Sequence, residues 1–509
     1  MPRPYSALPR RREFLGMAAG LPLIAGQRAG QSRPNILFAI SDDQTWLHAG
    51  AYGSKAVHTP AFDRVARMGV RFTQAICCSP GCAPSRAAIL TGRPPWQLEE
   101  AGTHASYFPR KFAVYPDLLA QAGYHVGFTG KGAGPANFEG WPHNPAGPPY
   151  QTRKAEAPPG ISNNDYAANF DDFLAQRPAG QPFAFWFGCQ EPHREYLAGS
   201  GLKAGKKLAD AQVPPFLPDT EEIRSDILDY YVEIEHFDRH LGRMLDRLEQ
   251  AGELNNTLVA VTSDNGMPFP RAKATMYEYG IHMPLAIACP AMFRGGRTAG
   301  DLVSFTDFAP SFLEAAGLKP PPEMTGRSLM NVLASNKSGR VDPARTYALS
   351  GRERHSHARY DNLGYPARAL RTHEFLYIRN FAPDRWPAGD PPGYHDIDAS
   401  PSKAKLIELA ETAQGRRYAA WTFGKQPAEQ LYDIRKDPGC LNNLAEQPAF
   451  AARKKELAAK LETELRAQRD PRVLGNGAIW ESYPRHSPMR PELGGFAGQG
   501  QYNPKYQQR

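Results

Sequence analysis

Three of the chain's six cysteines lie within six positions of one another, in the stretch CCSPGCAPSR at residues 77–86. A thiol in such a place could form a disulfide, bind a metal or act as a nucleophile. Zinc would require a second pair of cysteine or histidine ligands at short range, and the other three cysteines are isolated in the sequence. A disulfide between Cys78 and Cys82 stays open as an alternative, but no sequence feature requires it.

The residues that follow Cys82 favour the nucleophile. Pro84 suits the first turn of a helix, and the apolar run after it extends that helix, so Cys82 would lie at the helix N-terminus. The partial positive charge at that end attracts anions. We therefore interpret Cys82 as a nucleophile that faces an oxyanion.

Oxygen-bearing side chains follow two of the chain's apolar runs. Asp42 and Asp43 come directly after one run, and the pair Asp264 and Asn265 comes shortly after another. Such oxygen donors suit Ca²⁺ or Mg²⁺ rather than zinc. Three carboxylates brought together would repel one another, and a divalent cation would remove that conflict. The sequence therefore predicts a site for a hard cation.

These side chains need a scaffold that brings distant segments together. Apolar runs that end at polar clusters indicate buried strands, and they occupy residues 35–40, 124–128, 182–187 and 257–261. Helical patterns lie between the runs, so we predict an α/β fold with a mostly parallel sheet covered by helices on both faces. Ligands bind at the carboxyl ends of such strands. Lys131 and His193, which follow the second and third runs, would reach the same pocket.

Two helices have readable ends. The pattern predicts one helix from Pro60, with Thr59 as its N-cap and Gly69 closing it. A longer helix is predicted to begin near Asp219, with Glu222 completing a capping box, and to continue to Gly252.

The segment CAPSRAAILTGR, which starts at Cys82, resembles the C-x-P-S-R…L-T-G-R signature of the type I sulfatases of the alkaline-phosphatase-like superfamily. The motifs SDD, GK, EPH and SDNG appear in family order over most of the chain. The resemblance implies an alkaline-phosphatase-like sheet and a smaller C-terminal α+β domain that carries an antiparallel sheet. Within the family, residues 191–195 and 263–280 are most similar to the N-sulfoglucosamine sulfohydrolases, also called heparan N-sulfatases or sulfamidases.

The resemblance also implies roles for individual residues. Cys82 would be converted to formylglycine, whose hydrate attacks sulfur, and Arg86 would position it. One hydroxyl of the hydrate displaces the alcohol or amine and takes the sulfate. Deprotonation of the other hydroxyl then expels sulfate and regenerates the aldehyde, which a plain serine or cysteine could not do. The implied ligands of one calcium ion are Asp42, Asp43, Asp264, Asn265 and residue 82. The implied sulfate-binding residues are Lys131, His193 and Lys273.

One position departs from the family pattern. The family usually reads G-K-x-H, whereas this chain has Ala133 in place of the histidine that would contact a formylglycine hydroxyl. His193, His143 or His355 could supply that imidazole instead. Two alternatives stay open: a glycan-binding relative without turnover, and a phosphodiesterase or phosphonate hydrolase of the same superfamily.

From about Val341 the pattern changes to short strands and turns, and residues 367–381 alternate like a half-exposed hairpin. We therefore predict a catalytic domain at residues 33–340, an antiparallel-sheet subdomain at residues 341–470 and an extended tail at residues 471–509.

A cation-rich segment in the C-terminal subdomain suits a sulfated or carboxylated sugar. Its predicted substrate contacts are Arg352, Arg354 and His355.

The first residues of the chain predict export. Arg11 and Arg12 form a twin-arginine motif within a predicted signal peptide at residues 1–30. The apolar run after it is too short to span a bilayer, which takes about 20 residues, so we expect no stable membrane span. Residues 1–33 hold six arginines and one acid, so most of the formal charge of +8 lies there, which argues against a nucleic-acid partner. We expect a periplasmic protein that meets the Tat translocase, a formylglycine-generating or sulfatase-maturating enzyme, and a sulfated saccharide substrate.

Overall fold

The computed structural model describes residues 33–507 of the chain. Its larger sheet has eight strands, which are β1 (Asn35–Ser41), β2 (Val70–Ile76), β3 (His125–Gly130), β4 (Phe183–Gly188), β5 (Thr257–Ser263), β6 (His282–Ala288), β7 (Arg297–Ala299) and β8 (Val303–Ser304). Their order is β3-β4-β1-β5-β6-β2-β7, with β8 paired to β2. The neighbours β3, β4, β1 and β5 are parallel, and β6 runs antiparallel to β5 and β2. The four apolar runs picked out in the sequence are these four parallel strands.

The central strand β1 is buried over all of its seven residues. Side chains alternate across a strand, so Ile36 and Phe38 enter one apolar core while Leu37 and Ala39 enter the other. A strand with apolar residues on both faces must be covered on both sides, which is why β1 reads as a continuous apolar run rather than an alternating one.

Thirteen α-helices accompany the strands of the described residues. They are α1 (Pro60–Met68), α2 (Cys82–Thr91), α3 (Tyr115–Gln121), α4 (Tyr166–Gln176), α5 (Ser200–Lys203), α6 (Glu221–Gln250), α7 (Glu278–Ile281), α8 (Phe308–Ala315), α9 (Met330–Leu333), α10 (Pro401–Glu408), α11 (Arg416–Phe423), α12 (Ala451–Ala467) and α13 (Ile479–Ser482). Helices α2, α3 and α8 pack on one face of the larger sheet, and α1, α4 and α6 pack on the other. This arrangement confirms the predicted α/β class.

The two predicted helices begin and end close to the predicted residues, but the capping hydrogen bonds predicted for their N-termini are not the ones observed. Helix α6 is capped by the hydroxyl of Thr220, which accepts a hydrogen bond from the Ile223 amide, and not by Asp219. Asp219 instead pairs with Arg224. Thr59 precedes α1, but its side chain makes no capping hydrogen bond, since its hydroxyl accepts one from the Gly50 amide.

A second sheet is antiparallel throughout, as predicted. Its strands are β9 (Tyr347–Arg352), β10 (Ala367–Thr372), β11 (Phe375–Asn380) and β12 (Glu429–Asp433), in the order β12-β11-β10-β9. One face, including Leu370 and Tyr377, packs on α12, while the other, including Leu376 and Ile378, joins the core of the larger sheet. The expectation of a half-exposed hairpin is therefore wrong, because β10 and β11 are covered on both sides.

Part of the segment after residue 470 packs into the apolar cluster between the second sheet and α12. Trp480 is buried, and Arg485 lines the cavity described below. Within residues 33–507, no helix is both long and apolar enough to cross a membrane. The predicted signal peptide lies outside the described residues.

Candidate active site

A cavity of about 680 Å³ opens where the parallel strands β1, β3 and β4 end. Six residues singled out in the sequence line it, namely Asp42, Cys82, Lys131, His193, Lys273 and His355. The topology explains the convergence, because the carboxyl ends of parallel strands share one edge of the sheet.

Cys82 is the first residue of α2 and is almost fully buried. Burial raises the pKa of its thiol to about 12, so the thiol stays protonated at neutral pH and is a weak nucleophile as it stands. All six cysteines are free thiols, and the Sγ of Cys78 lies 3.3 Å from the hydroxyl of Ser304. The alternative of a Cys78–Cys82 disulfide is therefore not found.

Asp264 connects the ends of β1 and β5 to helix α2. Its carboxylate accepts hydrogen bonds from the Arg86 Nε at 2.7 Å, the Asp43 amide at 3.1 Å and the Asn265 side chain at 2.7 Å. Arg86 also donates to the carbonyl of Lys131 at 2.8 Å. Arg86 thus ties the Cys82 helix to the loops that carry the predicted acids.

Three buried oxygens in this group have no hydrogen-bond partner among the described residues: Asp42 Oδ1, Asp43 Oδ1 and Asn265 Oδ1. Ligand atoms of Asp42, Asp264 and Cys82 all lie within 4.8 Å of one another. An unpaired buried carboxylate oxygen is costly, and a hard cation would satisfy several at once. The donor chemistry of the predicted calcium ligands therefore fits such an ion.

Two lysines form ion pairs with Asp42 and Asp43, the first two acids of the predicted cation site. Lys131 pairs with Asp42, and Lys273 pairs with Asp43. Burial opposes the ionisation of Asp42, but the nearby Lys131 and Arg86 cations outweigh it and hold the pKa of Asp42 far below its usual value. Burial likewise opposes the charge on Lys273, yet Asp43 and Asp398 raise the pKa of Lys273 well above its usual value. Both ammonium groups therefore stay charged.

His193 lies on the rim of this group. Its Nδ1 donates to the carbonyl of Arg194 at 2.7 Å, and its Nε2 lies 3.9 Å from Asp43 Oδ2. The carbonyl fixes the tautomer and leaves Nε2 directed at the acid cluster. Asp43, His193 and Asp398 form a second set of potential metal ligands next to the first.

His104 contacts Cys82, with Nε2 3.9 Å from Sγ. Its ring packs against that of His355, with ring centroids 4.6 Å apart. Burial, and then the nearby Arg485, lower the pKa of His104 well below its usual value, so the imidazole is neutral. Ala133 is buried in the apolar core, and His143 is not part of the cavity lining.

Of the three predicted substrate contacts, the structure brings only His355 to the cavity. Arg352 pairs with Asp396 at 2.5 Å, and Arg354 donates to the carbonyls of Tyr483 and Pro484 at 2.6 and 2.7 Å. Both arginines are buried, and each binds a partner away from the cavity. Neither arginine lines the cavity, so the structure does not support their predicted role as substrate contacts.

Sequence reasoning missed several cavity residues, among them His104, Asp398, Arg485 and Arg490. His104 follows the family signature by some ten residues but belongs to no motif quoted above, and Asp398 lies in a loop without a readable pattern. For Arg485 and Arg490, the only sequence signal of a binding role was the density of basic residues in the segment YPRHSPMR that contains them.

Comparisons with known proteins agree with this geometry. The family model described as Sulfatase matches residues 34–318, and a model described as N-sulphoglucosamine sulphohydrolase, C-terminal, matches residues 271–379. The N-sulphoglucosamine sulphohydrolase of Homo sapiens is 28% identical over 512 residues, covering 91% of this chain and 96% of the relative. An ulvan-active sulfatase of Formosa agariphila is 26% identical over 480 residues, covering 87% of this chain and 77% of the relative.

Solved structures share the fold. A protein solved in complex with its substrate D-glucosamine-2-N,6-O-disulfate superposes with a TM-score of 0.64 at 22% identity, covering 86% of this chain and 99% of the other. The Sulfatase model alone covers more than half of the chain, and the predicted resemblance is confirmed. This chain therefore belongs to the sulfatase family, whose members hydrolyse sulfate esters or sulfamates.

Proposed function

We propose that this enzyme is an exported, calcium-dependent sulfatase that removes sulfate from an N-sulfated or O-sulfated saccharide, such as a heparan-type glycosaminoglycan fragment. It would use formylglycine made from Cys82. The observation that carries the proposal is the position of Cys82 at the start of α2, where its Sγ shares one 4.8 Å cluster with oxygens of Asp42 and Asp264. Lysines line the cavity beside that cluster.

The charges suit a sulfate group better than a neutral substrate. A sulfate ester is a poor electrophile because its own oxygens shield the sulfur, so bond cleavage needs cations that stabilise the developing charge. Lys131 and Lys273 supply two fixed positive charges at the cavity wall, and Arg86 supplies a third behind Cys82. A bound divalent cation would add a stronger charge on the same side and polarise any oxygen it shares.

The saccharide part of the proposal is supported by the relatives. The similar human protein is named for N-sulphoglucosamine, and the similar solved structure holds a glucosamine disulfate. An N-acetylglucosamine-6-O-sulfatase of Bacteroides thetaiotaomicron is 25% identical over 541 residues. These names favour an amino sugar, with either an N-sulfate or an O-sulfate as the bond that is cleaved.

His104 would take the place of the imidazole missing at position 133. Its Nε2 contacts residue 82, whereas His193 faces Asp43, His355 packs on the His104 ring and His143 does not line the cavity. In this role the Nε2 of His104 would form a hydrogen bond with a hydroxyl of modified residue 82 and hold its proton in place. An intact imidazole at this site favours an active enzyme over a binding protein without turnover.

The proposal includes maturation by a formylglycine-generating or sulfatase-maturating enzyme and export through the Tat translocase into the periplasm. The twin-arginine motif at Arg11 and Arg12 supports it. Cell fractionation of the wild type and of the double variant Arg11→Lys, Arg12→Lys tests this part. Equal periplasmic amounts of the two proteins would contradict it.

Two measurements test the catalytic part. Peptide mass spectrometry across Cys82, on protein made together with the maturating enzyme, should show the mass of formylglycine instead of cysteine. The matured protein should release sulfate faster than phosphate from paired aryl esters. Faster phosphate release would favour the phosphodiesterase alternative, and binding of sulfated sugars without any release would favour the non-catalytic one.

A further inference from the structure

Five lysine or arginine side chains line the cavity, and three of them are paired with carboxylates. Lys131 binds Asp42, Lys273 binds Asp43, and Arg194 binds both oxygens of Asp226. The other two, Arg485 and Arg490, make no ion pair within residues 33–507. Two unpaired guanidinium groups in one cavity wall are a feature that the sulfate-cleaving residues do not explain.

The local contacts of these two arginines are with neutral groups. Arg485 donates to the carbonyls of His355 and Pro488 at 3.3 and 3.4 Å, which are long hydrogen bonds. Arg490 donates through Nη1 to the carbonyl of His357 at 3.0 Å. A guanidinium has five donors in a fork that matches an oxyanion, so both side chains keep free donors.

Burial makes the unpaired charge costly. Arg485 is only 7% exposed. Burial is the main cause that lowers the pKa of its guanidinium to about 10, and repulsion from Arg490 is the second. Asp396, the acid that acts to raise this pKa, already binds Arg352 and Arg359. A charge that the protein leaves buried and uncompensated is best explained by a ligand that brings the opposite charge.

The acids of the cavity cannot supply that charge, because each has another partner. Asp42 and Asp398 face the two lysines, while Glu191 accepts hydrogen bonds from the Ser162 amide at 2.7 Å and the Tyr166 hydroxyl at 2.9 Å. A chain of contacts connects Arg485 to the reaction centre. Arg485 binds the backbone of His355, whose ring packs on His104, which contacts Cys82.

We propose that Arg485 and Arg490 form a second anion subsite that binds another sulfate, or a carboxylate, on the same saccharide whose sulfate is cleaved at residue 82. This inference rests on the proposed function and deepens it, because it predicts a substrate with at least two negative groups. It also gives the C-terminal segment after residue 470 a role in selectivity.

The test compares sugars that differ by one charge. The substrates are glucosamine 2-N-sulfate, glucosamine 2-N,6-O-disulfate, and an N-sulfated disaccharide with its uronate carboxylate intact or reduced. The wild type should show kcat/KM at least about tenfold higher for one doubly charged member of a pair, as expected for a charge-assisted contact. A preference within the glucosamine pair indicates a sulfate subsite, and a preference within the disaccharide pair indicates a carboxylate subsite.

Arg485→Gln and Arg490→Gln should lose most of that preference, mainly through KM, whereas Arg294→Gln, an exposed arginine outside the cavity, should keep it. Thermal unfolding checks each variant, and the less buried Arg490 keeps the test valid if Arg485→Gln fails to fold. Equal kcat/KM within both pairs, or a preference that survives in both variants, would overturn the subsite.

Binding separates this inference from the proposed function. Isothermal titration of the Cys82→Ala protein with the same sugars should show tighter binding of the doubly charged member and loss of the difference on adding Arg490→Gln. Such a result without sulfate release by the wild type would refute the proposed activity and keep the subsite. Sulfate release without any charge preference in rate or binding would refute the subsite alone.

Discussion

The Nε2 of His104 lies 3.9 Å from the Sγ of Cys82, while the Nδ1 of the same ring is buried without a hydrogen-bond partner in the described part of the chain. The contact joins the start of α2 to a loop that follows it, so the imidazole reaches the reaction centre by a different route from the G-K-x-H motif. Ala133, at the motif position, is buried in the core. His104 is therefore the first residue to test.

Replacing His104 by alanine should lower kcat by about 10²-fold or more, because a positioned proton-transfer or hydrogen-bonding group contributes on that scale. The measurement is the initial rate of sulfate release at saturating substrate, with thermal unfolding as a check on folding. His143→Ala is the matched control, since His143 lies outside the cavity lining and should turn over like the wild type. A His104→Ala enzyme as fast as the control would contradict the role.

Replacing Cys82 by alanine should abolish sulfate release while the fold persists, since a helix start accepts alanine and the side chain is small. We expect a loss of at least about 10⁴-fold, as for removal of a nucleophile elsewhere. Cys78→Ala is the matched control, because its thiol faces Ser304 and not the cavity that holds Cys82. Comparable residual rates in the two variants would remove the nucleophile assignment.

Much of the site could be predicted because its residues end buried strands. Asp42 and Lys131 each follow an apolar run. Because both runs are parallel strands, their carboxyl ends lie at the same edge of the sheet, which brings the two side chains to one cavity. The position of Cys82 at a helix N-terminus could also be predicted, because Pro84 marks the first turn of that helix.

The remaining residues could not be predicted, because their positions depend on tertiary packing. Arg352 and Arg354 sit next to His355 in sequence, yet the packing of β9 turns their side chains toward Asp396 and the Tyr483 carbonyl. Arg485 approaches the cavity from the far end of the chain, and no local pattern encodes that return. Short-range signals fix helices and strands, whereas loop paths depend on contacts that are distant in sequence.

Removal of bound divalent cations should lower both activity and thermal stability, because the buried oxygens of Asp42, Asp43 and Asn265 would be left without a partner. Calcium at a hundred times its dissociation constant would add about 2.7 kcal/mol to the free energy of unfolding. The experiment follows unfolding temperature and rate after chelation and after calcium is restored. No change in either quantity, in protein shown by elemental analysis to be metal-free, would refute the site.

The variant Asn265→Ala sharpens this test, since it removes one neutral ligand oxygen without adding repulsion. It should require more calcium to reach half of the full thermal stabilisation. Asp219→Asn, which changes an exposed acid outside the cavity, is the control and should show the wild-type calcium dependence. If both variants respond to calcium alike, Asn265 is not a ligand.

The ion pair of Arg368 with Asp470 should be the main anchor of the segment that carries the second anion subsite. Arg368 lies on β10, is almost fully buried, and binds Asp470 at 2.5 Å and Glu353 at 2.8 Å. Arg368→Ala leaves two buried carboxylates without this partner, so it should lower the free energy of unfolding by about 3–5 kcal/mol. Arg379→Ala, on β11, removes a pair that is 42% and 30% exposed and should cost only about 0–1 kcal/mol.

Urea denaturation measures both effects. Because Asp470 directly precedes the segment with Arg485 and Arg490, Arg368→Ala should also weaken the preference for doubly charged sugars more than Arg379→Ala does. Equal losses of stability in the two variants would mean that the buried pair does not anchor the segment. Full retention of the charge preference in a destabilised Arg368→Ala protein would mean that the cavity arginines are held by their own contacts.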